Sequence, residues 1–189
     1  MKGRAKDGFV ASIPLYALGA IFLVPLSIGV LLVSSNASQY DHANQISRDI
    51  ASMYAQGMDF SKSANQSIAM RVAEGLGMPA GQGIIILSKV RVVHDADCRD
   101  QTRGECANNG RAVVTERYVM GNATLRRSSL GTPAGLNQTK GDVLNWTSDQ
   151  SARAQDFTAN LKPGEFAYVA ECYMTSPELR GGVYARAMF

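Results

Sequence analysis

The stretch Phe9–Val33 reads FVASIPLYALGAIFLVPLSIGVLLV and holds no charged residue. A helix rises about 1.5 Å per residue, so this run is long enough to cross a hydrocarbon core of roughly 30 Å with some tilt. Ahead of it stands the basic stub MKGRAKDG, residues 1–8, and behind it residues 34–189, mixed and polar. This predicts a cytoplasmic tail over 1–8, a transmembrane helix over 9–33 and one domain over 34–189. Lys2, Arg4 and Lys6 precede the span, whereas Asp41, Arg48 and Asp49 follow it. The positive-inside rule then puts the N-terminus in the cytoplasm and the domain on the other side. Ser35-Asn36-Ala37 has the form of a signal-cleavage site. An ordinary signal core is only about 7–15 residues, so a retained anchor is the expectation.

The span carries Pro14 and Pro25, each of which removes a backbone donor and predicts a kink or a locally melted turn. Small residues, Gly19 and Gly29 among them, permit close helix–helix approach in lipid. Beyond Val33 the helical period continues: Ala37, Tyr40, Ala43, Ile46, Ile50, Met53 and Tyr54 recur at three- and four-residue steps. One continuous helix of roughly 45 residues would be near 70 Å long, its second half lying against the domain. Gly57 and Asp59 read as its C-terminal stop and a new N-cap. A second helix is expected over Ser61–Leu76, with Ile68, Val72 and Leu76 as its apolar stripe. The helical part of the domain is thus 34–78.

At Gly83 the period changes to two. GIIILSKVRVV, residues 83–93, places Ile84, Ile86, Val90 and Val92 on one face, with Lys89 and Arg91 on the other. AVVTERYVM, Ala112–Met120, is a second strand, with turn chemistry from Gly104 to Gly110 between them, so an antiparallel pair is predicted. Residues 121–147 form a long polar excursion with little regularity, ending near Trp146. A short helix is expected over Asp149–Leu161 with Ser148 as its N-cap, then a third strand over Phe166–Met174. Pro177–Gly182 reads as a loop, and Val183–Phe189 as a last strand or tail. The sheet domain is therefore 83–189. The fold class is α+β: a long N-terminal helix, transmembrane and then amphipathic, packed on a small antiparallel sheet with a disulfide loop.

All three cysteines, Cys98, Cys106 and Cys172, follow the span and so face an oxidising space. Cys98 and Cys106 lie in the polar run DADCRDQTRGECANN, which suits a loop staple contributing about 2–3 kcal/mol in the chain-entropy model. Cys172 alternates with Phe166, Tyr168, Ala170 and Met174 and reads as a small apolar core residue. Its pairing with either of the others stays open, because connectivity does not follow from sequence.

The 189 residues carry a formal charge of +3. About 150 of them follow the span, which is one ordinary domain. Basic residues are dispersed, with Arg126-Arg127 the one adjacent pair, so no nucleic-acid surface is expected. His94, Asp95, Asp97, Cys98 and Asp100 invite a metal reading, yet no zinc-type ligand spacing supports it. There is no GxSxG, and His42 and His94 have no motif around them. No catalytic residue, cofactor or metal is assigned, and an enzyme is not expected.

What remains informative is the layout, and it resembles the pilin and pseudopilin superfamily, in particular the TadE-like pseudopilins of bacterial tight-adherence (Flp) systems. The likeness rests on the span followed by YDHANQISRDIASMYAQGMDFS, with Ala43, Arg48, Ala51, Tyr54 and Ala55 approximating the family's Ala/Arg-rich run. It rests too on SANQSIAMRVAEGLGM leading into GIIILSKVRVV, and on the late strand GEFAYVAECYM with the tail Tyr184-Ala185-Arg186-Ala187-Met188. It is close in layout over most of the chain and loose in sequence. Gly8 and Phe9 resemble the start of a prepilin processing site, but Ile13 stands where the family has glutamate. The resemblance implies a minor or accessory pilin-like component of the inner membrane, with its domain periplasmic or at the cell surface. It would assemble through Pro14, Gly19, Pro25, Gly29, Tyr40, Ile46, Ile50 and Tyr54 with other pilin-like subunits and inner-membrane assembly proteins. The polar excursion over 121–147 would supply a contact surface. The alternative is a membrane-tethered sensor or binding domain with no filament role. That reading needs an output module, which the eight residues before the span do not provide.

Overall fold

The computed structural model describes residues 7–99, 106–176 and 181–189, with side chains from Gly19 onward. Lys2, Arg4 and Lys6 of the stub, Asp100, the start of the Gly104–Gly110 turn and most of the loop after Ser176 lie outside the described residues. Helix α1 spans Asp7–Ala55. The chain divides into two compact units, Met1–Ser38 and Gln39–Phe189.

Among the described side chains of the first unit, the large apolar ones are exposed. Ile21, Phe22 and Val33 are 64%, 72% and 71% exposed. The stretch is long and apolar enough to cross a membrane, and none of its most apolar window is buried. The helix runs unbroken through Pro14 and Pro25, so neither proline melts a turn. The Ser27 hydroxyl donates back to the carbonyls of Leu23 and Val24 at 2.7 and 3.0 Å, which keeps a polar group satisfied within an apolar run. A Cβ added at Gly19 or Gly29 would meet nothing within 4 Å.

The second unit is α+β. It contains the end of α1, then α2 (Ser63–Gly75), β1 (Gly83–Val92), the short α3 (Asp95–Arg99), β2 (Ala112–Gly121), a 3-10 turn (Gln150–Ala152), β3 (Ala167–Met174) and β4 (Val183–Met188). The four strands form one antiparallel sheet in the order β2-β1-β3-β4. The pairings Leu87↔Tyr118 and Leu87↔Ala170 set the centre of the register.

Alternation along β1 sorts its side chains onto two faces. The odd face, with Ile85 and Leu87, receives Ala43, Ile46, Ile50, Ala51 and Tyr54 of α1, Phe60, and Ala69 and Ala73 of α2. Tyr54 stands edge-on to Phe60, Tyr118 and Tyr168, with ring centroids 4.9–5.9 Å apart. The geometry is the one that aromatic quadrupoles favour.

Helix ends follow their chemistry. Gly57, at φ +91°, takes the left-handed position after α1, and the Met58 N–H closes onto the Met53 carbonyl at 3.1 Å, a Schellman stop. Asp59 does not cap α2. Its carboxylate accepts from the Ser61 backbone and hydroxyl, a local turn that precedes the true N-cap, Lys62. The buried stripe of α2 is Ala69 and Ala73, while Ile68 is 46% exposed. Small side chains let the helix approach the sheet closely, with Met70 and Leu76 partly buried at the edge of the same core.

The even face of β1 departs from the sequence expectation. Ile84, Ile86 and Val90 do share a face, but the sheet is covered on both sides. Leu130 and Val143, inside the polar excursion, are buried with Val90, Val114, Ala152 and Val169 in a second core. The helix expected over Asp149–Leu161 is reduced to Gln150–Ala152. Asp149, rather than Ser148, caps it by accepting from the Ser151 N–H at 2.8 Å. The reason is competition from the sheet: Arg153 bridges Val113, and the Ala154 N–H donates to the Ala112 carbonyl at 2.9 Å. Asp156 then takes φ +52°, which no helix continues through. The domain is a three-layer stack of helices, sheet and wrapped chain.

Truncating Ile50, which is fully buried at the helix–sheet contact, is expected to lower stability by about 2–5 kcal/mol. Chemical denaturation of Ile50→Ala in detergent micelles measures it. Ile68→Ala, on the outer side of α2, is expected to change stability by less than about 1 kcal/mol.

Candidate functional site

The most elaborated polar arrangement grows from two charged residues set in apolar strands. Arg117 interrupts AVVTERYVM and Glu171 interrupts AYVAECYM. Both lie on the even face, and both are nearly fully buried, at 4% and 2% exposure. The Glu171 carboxylate accepts from the Ser128 hydroxyl, from the Ser129 N–H at 2.7 Å and from the Tyr184 hydroxyl at 2.8 Å. Arg117 donates through Nε to the Ser88 hydroxyl at 3.1 Å and through Nη1 to the Gly131 carbonyl. Each therefore ties the excursion, at 128–131, to the sheet. Above them the Arg126 guanidinium lies 4.1 Å from the Tyr184 ring centroid and 5.6 Å from that of Tyr173. Burial pulls the Arg117 guanidinium down to about 10, and the nearby Glu171 charge opposes that shift. It stays protonated at neutral pH.

A second set of bonds fixes the far end of the excursion. Asn108 is fully buried. Its amide donates to the carbonyls of Trp146 and Asp149 at 2.8 and 2.7 Å, and its oxygen accepts from Arg153 Nε at 2.8 Å. Gly141, at φ +80°, lies flat on the Tyr118 ring, where any side chain would collide. The same backbone turn lets the Gly141 carbonyl accept from the Arg117 N–H at 2.7 Å.

On the odd face, Tyr54 donates to Glu116 at 2.9 Å, and Glu116 pairs with Lys89 at 2.8 Å. The Lys89 ammonium sits 4.4 Å from the Phe166 ring centroid, and Arg91 lies between Trp146 and Phe166, at 5.0 and 5.3 Å. Burial and the Glu116 charge both push the Tyr54 hydroxyl upward, and burial first, then Glu116, raises Tyr118 to about 12. Burial alone raises the Cys172 thiol to about 12, which leaves it a poor nucleophile at neutral pH.

The residues singled out from sequence fall into three groups. Cys98 and Cys106 form a disulfide with Cα atoms 5.6 Å apart, and Cys172 is free and buried. Ile46, Ile50 and Tyr54, read as packing residues for neighbouring subunits, are buried in this chain's own core, because the odd face of the sheet lies directly beneath them. Tyr40, at 47% exposure, and Gly19, Pro25 and Gly29 lie outside that core; Gly8, Phe9 and Pro14 lie within α1 with their side chains outside the description. Of the residues that suggested a metal, Asp95, Asp97 and Cys98 are engaged otherwise, and Asp100 lies outside the described residues. Asp97 accepts from Arg91 at 2.7 Å and from the His94 N–H at 3.0 Å, Asp95 accepts from Asn109, and Cys98 is oxidised. Among the described residues no group of three or more His, Cys, Asp or Glu side chains is placed to hold a metal ion. The Arg117–Glu171 arrangement was missed in the sequence, although charged residues inside two largely apolar strands, Glu116-Arg117 in one and Glu171 in the other, were its available signal.

No protein-family model matches the chain, nor does any curated protein or solved structure.

The raised tyrosine and thiol values carry a pH consequence. A group whose folded value exceeds its unfolded one stabilises the fold fully below the unfolded value and loses that contribution as pH climbs through the folded one. The ordinary values are 9.0 for Cys172 and 10.0 for Tyr118, against about 12 for both in the fold. The denaturation midpoint is therefore expected to fall as pH rises from about 9 to about 12. Cys172→Ala is expected to move the onset toward about 10. Urea titrations in micelles at several pH values read both.

Proposed function

We propose that the chain is a minor pilin-like, TadE-like structural subunit of a bacterial tight-adherence pilus or secretion system, held in the inner membrane by Phe9–Val33 until it joins or primes a pilus. The observation that carries this reading is helix α1. One element, Asp7–Ala55, supplies an apolar exposed segment and then, from Ala43 to Tyr54, a stripe buried in an α+β domain. That is the layout by which the sequence resembles pilin-like proteins.

Two further features support it. The basic residues Lys2, Arg4 and Lys6 favour a cytoplasmic N-terminus, and the Cys98–Cys106 disulfide fits a domain in an oxidising periplasm. The polar chemistry described above binds the chain to itself: Glu171 and Arg117 hold the excursion, and Asn108 holds its far end. Such an arrangement suits a scaffold whose work is done by surfaces. The subunit contacts would then use the exposed apolar residues of the span and the outer side of α1 near Tyr40. Ile46, Ile50 and Tyr54 are already occupied within the domain.

The test joins genetics to chemistry. Deleting the gene is expected to reduce pilus assembly and surface attachment. In cells carrying the tagged full chain, single cysteines at Leu26, Val33 or Tyr40 are expected to cross-link to pilin-like subunits, whereas one at Ile68 is not. Unchanged assembly after deletion, together with no cross-link from the first three positions, would contradict the proposal.

A further inference from the structure

The two edges of the sheet are finished differently. Along β2 the outer backbone groups are taken up by the excursion and the segment after it. The Arg117 N–H donates to the Gly141 carbonyl at 2.7 Å, the Val143 N–H to that of Thr115 at 2.9 Å and the Ala154 N–H to that of Ala112 at 2.9 Å. β4, at the other edge, has no such cover among the described residues. It is nevertheless firmly set. The Phe189 N–H donates to the Tyr168 carbonyl at 3.0 Å, and its carbonyl accepts from the Tyr168 N–H at 2.8 Å. That doubly bonded pair fixes the phase of the ladder, because antiparallel pairs alternate between bonded and unbonded. Val183, Ala185 and Ala187 therefore turn their backbone groups to β3, and Tyr184, Arg186 and Met188 turn theirs outward. The outward groups of those three have no backbone partner among the described residues.

Side chains along this edge are sorted by charge. On the even face Arg186 is exposed and reaches the Ser129 hydroxyl at 3.4 Å, while the exposed Arg126 lies over the Tyr184 ring. Arg127, also exposed, lines the same crevice beside Tyr173 and Tyr184. None of the three arginines is in an ion pair with a described carboxylate. Glu171, on the same face, is buried and accepts from Ser128, Ser129 and Tyr184. On the odd face Val183 and Ala185 are buried in the helix-covered core, and Ala187 packs against it. An open strand edge is a template for a further strand. This one is cationic on one side and small and apolar on the other. Like charges brought together across it oppose pairing with a second copy.

We propose that β4 receives an added antiparallel strand from a partner, an extended acidic segment in which carboxylates alternate with apolar residues. The carboxylates lie on the even face, opposite Tyr184, Arg186 and Met188, and the backbones of those opposed residues exchange hydrogen bonds. Their charge meets the three arginines. The apolar residues between them extend the core beside Ala185 and Ala187. The edge belongs to the second unit, so the inference stands whether or not the span enters a filament.

The test titrates the full chain, in micelles of a neutral detergent at constant ionic strength, into a fluorescent seven-residue peptide of alternating valine and glutamate with both ends blocked. Anisotropy reads binding. Saturable binding is expected, weakened about tenfold or more when lysine replaces glutamate. N-methylation separates strand addition from charge attraction. Methylating the glutamate amides, which face β4, is expected to weaken binding about tenfold or more, and methylating the valine amides, which face away, by less than about threefold. Met188→Pro removes one outward donor, at an edge position where proline is tolerated, and leaves every arginine in place. It is expected to weaken binding about tenfold with the melting temperature kept. Arg186→Glu is expected to turn the preference toward the lysine peptide. Equal affinity for the two peptides, equal loss from methylating either set of amides, or no saturable binding would overturn the proposal. So would peptide-free self-association of the chain in sedimentation that Met188→Pro abolishes, which would give the edge to a second copy.

Discussion

The contact on which the structure depends is the stripe Ala43, Ile46, Ile50 and Tyr54 against the odd face of β1 and β3. Ile46 and Ile50 are fully buried there, and fully burying side chains of this size contributes about 1.5–3 kcal/mol each. The contact does two things at once. It gives a sheet of four short strands the apolar partner it needs. It also makes the end of α1 part of the domain, in the same helix whose earlier residues expose Phe22 and Val33. A stripe of alanine and isoleucine on α1, and of Ala69 and Ala73 on α2, is what allows two helices to lie close over so small a sheet.

The other face is built by a different device. No helix covers it. A long segment with few apolar residues is laid across it, supplying Leu130 and Val143 to the core and using buried polar groups for the rest. Glu171 gathers donors from 128, 129 and 184, while Asn108 gathers carbonyls from 146 and 149. Such groups stabilise less per atom than hydrocarbon, but they specify one path for a chain that propensity leaves undecided. Of the side chains of Glu171, Asn108 and Arg117, Arg117 alone keeps a buried atom, Nη2, with no partner among the described residues.

The legibility of the fold in the sequence varied with the range of the interactions involved. The apolar run, the period-four continuation to Tyr54, the stop at Gly57, the β-branched strand at 83–92 and the Cys98–Cys106 staple are all local patterns, and all are present. What failed was non-local. SDQSARAQDF has an adequate helical beginning, yet backbone bonds from Ala112 and Val113 claim residues 153 and 154. The apparent amphipathicity of β1 concealed a strand covered on both faces, because its second cover comes from a segment with no apolar periodicity of its own. Of the candidate site, the charges of Arg117 and Glu171 were visible as exceptions to their largely apolar strands. Their convergence was not, since it depends on the register that sets Ser88 opposite Arg117 and Ile86 opposite Glu171.

Amide hydrogen exchange on the full chain in lipid nanodiscs tests most directly whether the end of α1 is a structural member of the domain. If it is, the amides of Ile46, Ile50 and Tyr54 open only with global unfolding and share the slowest class with Ile85 and Leu87 of β1. Exchange of those three at rates typical of a fraying helix, while β1 stayed protected, would contradict the account.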